Sequence, residues 1–155
     1  MLRRLKKEDI SDIKNILETS NNFSTEEIDC AIDMINTYFA TKDDCEFLCY
    51  EHEQRVVAYT CYGPTPLTDG TFDLYWICVS PDFQNKGIGS ELLDGVEKDI
   101  KFRGGRLIII ETSSHDKYLP AIKFYKRNEF SIASVIENFY REGENKIIFM
   151  KRLKP

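Results

Sequence analysis

The stretch from Phe72 to Ser90 constrains this chain more than any other. An apolar run, Phe72 to Val79, enters Ser80-Pro81 and the loop Asp82 to Gly87, and Ile88-Gly89-Ser90 then opens a helical period. Such a run reads as a strand buried on both faces and therefore central in its sheet. A strand that turns through glycine into a helix start is suited to bind an anion. The first amides of the helix lack partners, the helix dipole places about half a positive charge there, and glycine lets a phosphate approach the backbone. Lys86 adds a full charge beside it. The dinucleotide fingerprint does not apply, because Leu92 fills its third glycine position, and the Gly-Lys-Ser/Thr of a P-loop is missing.

The rest of the chain arranges itself around this junction. Leu2 and Leu5 fit a short strand, and Lys7 to Glu18 carries Ile10, Ile13, Ile16 and Leu17 on one helical face. Ser24 and Glu27 have capping-box spacing ahead of Ile28, Ala31, Ile32, Ile35 and Phe39. Glu46 to Glu51 and Arg55 to Tyr62 read as a hairpin, and Gly63 to Gly70 as a loop. After the glycine turn, Ile88, Leu92, Leu93, Val96 and Ile100 face the core until Gly104-Gly105 stops the helix. Leu107 to Glu111 follows as a second buried strand, joined to the first by one right-handed crossover and parallel to it. Pro120 starts a short helix to Arg127, and Ser131 to Glu137 pairs with Lys146 to Lys151 around Gly143. The predicted order β-α-α-β-β-β-α-β-α-β-β is that of one α/β domain over residues 1–155, with a mixed, mostly antiparallel sheet and helices on both faces.

Composition removes several classes of function. With 155 residues and 42% apolar side chains the chain closes one core without disulfides or a structural metal. A net charge of −5 repels nucleic acid and anionic membranes and weakly favours cationic acceptors. The five cysteines show no C-x-x-C spacing and read as reduced, buried thiols. His52 and His115 lie too far apart to suggest a metal site. The basic start lacks an apolar signal core, and no later run is long enough to span a bilayer, so the expected compartment is the cytoplasm.

Val79-Ser80-Pro81 followed by Gln84-Asn85-Lys86-Gly87-Ile88-Gly89 resembles the Q/R-x-x-G-x-G/A signature of the GNAT superfamily of acyl-CoA-dependent N-acetyltransferases. Phe124 to Phe130 is similar to that family's F-Y-x-x-x-G-F helix end, except that Glu129 stands where glycine is usual. Asn128 is expected to take the left-handed conformation in its place. Ser113-Ser114-His115-Asp116 also lacks a frequent asparagine. The resemblance implies the single-domain GNAT fold, acetyl-CoA as cosubstrate and an amine as acceptor. It implies that the backbone amides of Gln84, Asn85, Lys86, Gly87, Ile88, Gly89 and Ser90 hold the CoA pyrophosphate. It further implies that the backbone of Ile77, Cys78 and Val79 pairs with the pantetheine arm. Lys123 and Lys126 are candidates for the adenosine-end phosphates, against the plainer reading of solvated helix lysines.

The implied chemistry requires a base, because a protonated amine cannot attack a thioester and a free alkylamine has a pKa of roughly 10. Attack builds a tetrahedral oxyanion, and the departing thiolate benefits from a proton donor. Tyr125 matches the family's donor; without the resemblance it reads as a core tyrosine. Two carboxylates compete as base. Asp73 opens the buried strand, where the family often has glutamate. Glu111 ends the neighbouring strand, resembles the base of the branch that acetylates a ribosomal protein's N-terminal alanine, and is expected to be partly desolvated after Ile108-Ile109-Ile110. The acceptor pocket is expected between Thr19 to Ser24, Pro64 to Thr68, and Phe139, Tyr140 and Arg141. The acceptor class, metabolite or protein, stays open, as does the oligomeric state, a homodimer among the choices. The rival readings are a non-catalytic acyl-CoA-binding module and a protein-interaction module.

Overall fold

Alternation along the strands decides which side chain meets which helix layer. In the computed structural model, which describes residues 1–41 and 44–155, β1 (Leu2–Arg4), β2 (Glu46–His52), β3 (Arg55–Pro64), β4 (Thr71–Val79), β5 (Leu107–Ser113), β6 (Ser131–Arg141) and β7 (Glu144–Arg152) form one sheet. Their order is β1-β2-β3-β4-β5-β7-β6. On one face Phe47, Cys49, Tyr59, Cys61 and Cys78 pack with α1 (Ile10–Thr19) and α2 (Thr25–Thr41). On the other, Leu48, Ala58, Tyr62 and Leu74 pack with α3 (Ile88–Phe102) and α4 (Leu119–Arg127). Residues one apart thus belong to different cores, as the two-residue period of a strand requires.

α2 starts where its side chains offer hydrogen bonds. The Ser24 amide donates to Glu27 Oε2 (2.7 Å) and the Glu27 amide to Ser24 Oγ (3.2 Å), which is the capping box read from the sequence. At its far end α4 differs from the expectation. Asn128 keeps φ at −94° and donates its side-chain amide to the Phe124 carbonyl (2.9 Å), while Glu129 itself takes the left-handed conformation at φ 68°. The Phe130 amide reaches back to the Tyr125 carbonyl at 3.0 Å, closing the helix end as a glycine would. Glu129 is exposed, so its side chain meets no packed neighbour in this backbone shape and pairs with Lys151 at 3.6 Å.

Every neighbouring pair in the sheet is antiparallel except β4 and β5, which run parallel with Thr71, Phe72 and Asp73 opposite Leu107, Ile108 and Ile109. That pairing stops after three residues, and the strands part. For this reason β4 is central but not buried on both faces: Tyr75 is 44% exposed, and Trp76 and Ile77 are half-buried beside the gap. Two further expectations change. Cys49, Cys61 and Cys78 are buried free thiols, with burial pushing Cys49 and Cys78 up to about 12, but Cys30 is exposed on the outer side of α2 and Cys45 is half-buried. β6 is longer than predicted and exposed along all eleven residues, because it lies at the sheet's edge with no helix beyond α4 to cover it. Among the described residues no helix is long and apolar enough to cross a membrane.

Candidate active site

A cavity of about 630 Å³ occupies the gap between β4 and β5. Its walls come from both faces of the sheet. Ile77 and Val79 point toward the α3 and α4 layer, whereas Trp76 and Cys78 point toward α1 and α2. On β5, Ile110 lies opposite Phe149, whose ring contacts Tyr125, so Glu111 and Ser113 project to the other face. The cavity therefore passes through the sheet.

At one mouth the glycine turn presents its backbone. Asn85 (φ 59°) and Gly87 (φ 81°) are both left-handed, which curls the loop so that successive amides converge. Gly87 precedes the first helical residue, and the amides of Asn85, Lys86, Gly87, Ile88, Gly89 and Ser90 make no hydrogen bond to the described residues. At Gly89 a Cβ would stand 3.1 Å from the Phe124 ring, a tight contact that the ring would have to relieve by a shift of a few tenths of an ångström. Such a run of unpaired amides at a helix start fits a diphosphate. The edge of β4 beyond Asp73 has no strand partner, since β3 occupies only its other side. Backbone groups at Ile77, Cys78 and Val79 can thus pair with an extended, amide-bearing chain, although Gln84 already donates its side-chain amide to the Val79 carbonyl (3.1 Å). The Gln84 backbone amide is engaged by the Pro81 carbonyl (3.3 Å).

Deeper in, Tyr125 ends α4 with its ring against Phe124, Phe130 and Phe149. Burial pushes its phenol above the ordinary tyrosine value, so it keeps its proton. The hydroxyl makes no hydrogen bond among the described residues, and the residue lines the cavity. Across the sheet stand Phe23 stacked on Trp76 (5.3 Å between centroids), Glu27, Tyr140 and Glu144. Glu111 lines this side too, but it is 52% exposed and paired with Lys146 at 2.8 Å, so the desolvation expected from the sequence is absent.

The structure brings together most of the residues singled out in the sequence, and leaves out four. Asp73 lies within the short parallel pairing, its carboxylate accepting from Thr65 Oγ1 (2.7 Å), and does not line the cavity. Lys86 turns back to the Asp82 carbonyl (2.9 Å) over the Phe83 ring, and Lys123 and Lys126 are exposed on α4; none of the three lines the cavity. The acceptor end is formed by Ser20, Asn22, Phe23, Tyr140 and Arg141, without the Pro64 to Thr68 loop or Phe139. Trp76 and Glu144 were not anticipated. A lone tryptophan in the middle of a strand, whose indole N–H usually finds a partner when buried, was the available signal for the first; its Nε1 is enclosed without a hydrogen bond among the described residues. Glu144 follows a glycine turn rich in charge, a context that reads as solvent-exposed.

A sheet parted at its centre, with a turn of unpaired amides at one mouth of the gap and a protonated phenol inside it, fits a transferase that draws its acyl group from a CoA thioester. The chain matches the acetyltransferase (GNAT) family over residues 10–130 and belongs to that family. A protein from Desulfovibrio desulfuricans assigned to the same family is similar in structure at a TM-score of 0.94, with 37% identity over 98% of each chain. The aminoglycoside 6'-N-acetyltransferase in complex with coenzyme A shares the fold at a TM-score of 0.80, with 15% identity, covering 100% of this chain and 98% of that one. The ribosomal-protein-S18-alanine N-acetyltransferase of Escherichia coli does so at 0.77, with 19% identity, covering 100% and 94%. No curated protein matches the chain significantly in sequence.

Proposed function

We propose that this acetyltransferase moves the acetyl group of acetyl-CoA to a primary amine, by direct attack of the amine on the thioester. One observation carries the reading: a single continuous cavity joins the unpaired amides of Asn85 to Ser90 with Tyr125 on one face of the sheet and Glu111 on the other. The amides of the turn hold the diphosphate, and the open edge of β4 at Ile77 to Val79 aligns the pantetheine arm. Bound there, acetyl-CoA supplies an acyl group already activated for transfer.

The chain's own residues then manage protons. Glu111, at the acceptor mouth, takes the proton of the incoming ammonium, directly or through a water. Tyr125 holds its proton because burial disfavours the phenolate, and releases it to the departing sulfur. One C–N bond forms and one C–S bond breaks; two protons leave nitrogen, the first to Glu111 and on to solvent before attack and the second from the adduct as the amide forms, while the proton that Tyr125 gives to sulfur is replaced by that second one. Asp73 is set aside as base because its carboxylate is engaged by Thr65 away from the cavity.

Thiol release measured with acetyl-CoA and a panel of primary amines tests this. The expected result is one thiol freed per amide formed. Tight acetyl-CoA binding with no amine-dependent thiol release across the panel, which includes a peptide N-terminus and a lysine peptide, would make the protein a non-catalytic acyl-CoA-binding module instead.

A further inference from the structure

The acceptor side of the cavity contains a carboxylate the reaction above does not use. Glu144, at the start of β7, is 8% exposed, and it lines the cavity on the same face of the sheet as Glu111. Its Oε1 accepts from Ser113 Oγ, a hydroxyl that also receives the His115 amide at 3.0 Å, so the carboxylate is fixed in place from β5. Its Oε2 is enclosed and without a hydrogen bond. Arg141 Nε lies 2.8 Å from that oxygen, off the direction a hydrogen bond needs.

A buried carboxylate oxygen with a nearby cation but no donated proton is half-satisfied. The Ser113 hydrogen bond holds the Glu144 carboxyl below its ordinary range, so it is charged. What covers it is loosely held: the Arg141 side chain is 76% exposed, and an ion pair of that kind is worth little in water. The other cation close by, Lys117, is likewise exposed. An always-ionised carboxylate is a poor base for the reacting nitrogen, which must be neutral, but a good seat for a positive charge that stays.

We propose that Glu144 receives a second cationic group of the acceptor, which displaces Arg141, so that the preferred acceptors are amines carrying a further positive charge beyond the reacting nitrogen. This inference rests on the amine reading of the cavity and deepens it. Glu27 and Glu111 line the same side, and the net charge of −5 draws such molecules in. The bound ammonium, free to orient, donates the hydrogen bond that Arg141 does not.

Two readouts test the proposal separately from turnover. Trp76 is the one tryptophan in the chain and lines the acceptor end, so its fluorescence reports binding there. Titration of the CoA-bound protein with 1,4-diaminobutane and with 1-aminobutane is expected to give an affinity at least about tenfold higher for the diamine. Glu144→Gln should bring the ratio close to one, whereas Arg141→Ala, an exposed change that spares folding, should tighten the diamine a few-fold. In thiol-release assays the ratio of kcat/KM for the two amines should follow the same order. Equal affinities in the wild type, or a Glu144→Gln protein of unchanged Tm that keeps the diamine preference, overturns the proposal. Diamine-selective binding with no thiol release would sink the transferase reading alone; thiol release with no diamine preference would sink this inference alone.

Discussion

The two ends of the cavity are built in opposite ways. The end proposed for CoA is main chain: amides from one unbroken segment, residues 85–90, curled by two left-handed residues and backed by the dipole of α3. The acceptor end is side chain: Phe23 from the α1–α2 connection, Trp76 from β4, Glu111 and Ser113 from β5, and Tyr140, Arg141 and Glu144 from the last hairpin. Main-chain recognition depends on conformation and tolerates many side chains. Side-chain recognition depends on which residues distant segments bring together, so it can be retuned without disturbing the other end.

If the division holds, substitutions should separate cleanly into effects on acetyl-CoA, on the chemistry and on the acceptor. The largest effect is expected from Tyr125→Phe, where loss of the proton donor should lower kcat by about 100-fold or more, with acetyl-CoA affinity by calorimetry nearly unchanged. An unaltered kcat would remove Tyr125 from the mechanism. Because burial holds the phenol above its ordinary value, the wild-type donor should fail on the alkaline side only above about pH 10. Next, Gly87→Val forces a β-branched residue into φ 81° and misaims the amides. Strain of about 1–2 kcal/mol and a weakened charge-assisted hydrogen bond predict acetyl-CoA binding weaker by roughly 100-fold, with no change in acceptor selectivity.

Smaller effects should fall at the acceptor end. Glu111→Gln should lower kcat/KM about tenfold and alter its pH profile, while acetyl-CoA binding stays the same. Asp73→Asn, placed outside the cavity, should leave that profile alone, and an effect there equal to that of Glu111→Gln would reverse the choice of base. Ser24→Ala removes the cap of α2 and should cost about 1 kcal/mol of stability, read as a lower Tm. Since Glu27 in the same capping box lines the cavity, a modest rise in acceptor KM should accompany it, with none for acetyl-CoA.

The difference in construction also explains what could be read in advance. Asn85 to Ser90 is contiguous, and a strand, glycines and a helix start in sequence compel their own geometry, so the turn of unpaired amides was legible from residue order. The element order and the capping box at Ser24 were legible too, because both rest on local periodicity. Glu144 was not, since a glutamate beside Gly143 reads as solvated until β5 is seen to place Ser113 against it. Glu111 was legible as a site residue, yet its surroundings were not: the three preceding isoleucines suggested burial, and Lys146 meets it only because β7 lies between β5 and β6. β3 and β6 make the same point for burial. Both are rich in apolar residues, but β3 is interior and covered on both faces while β6 is exposed throughout.

By itself the sequence determined the elements, the glycine turn with its unpaired amides, and the tyrosine at the end of α4. These depend on backbone preferences and on contacts a few residues apart. Only the tertiary structure decided that β4 and β5 part after three pairs, that the gap opens to both faces, and that Glu111 and Glu144 share one wall of it. Those facts depend on where strands far apart in the chain settle in one sheet, and no local preference encodes that distance.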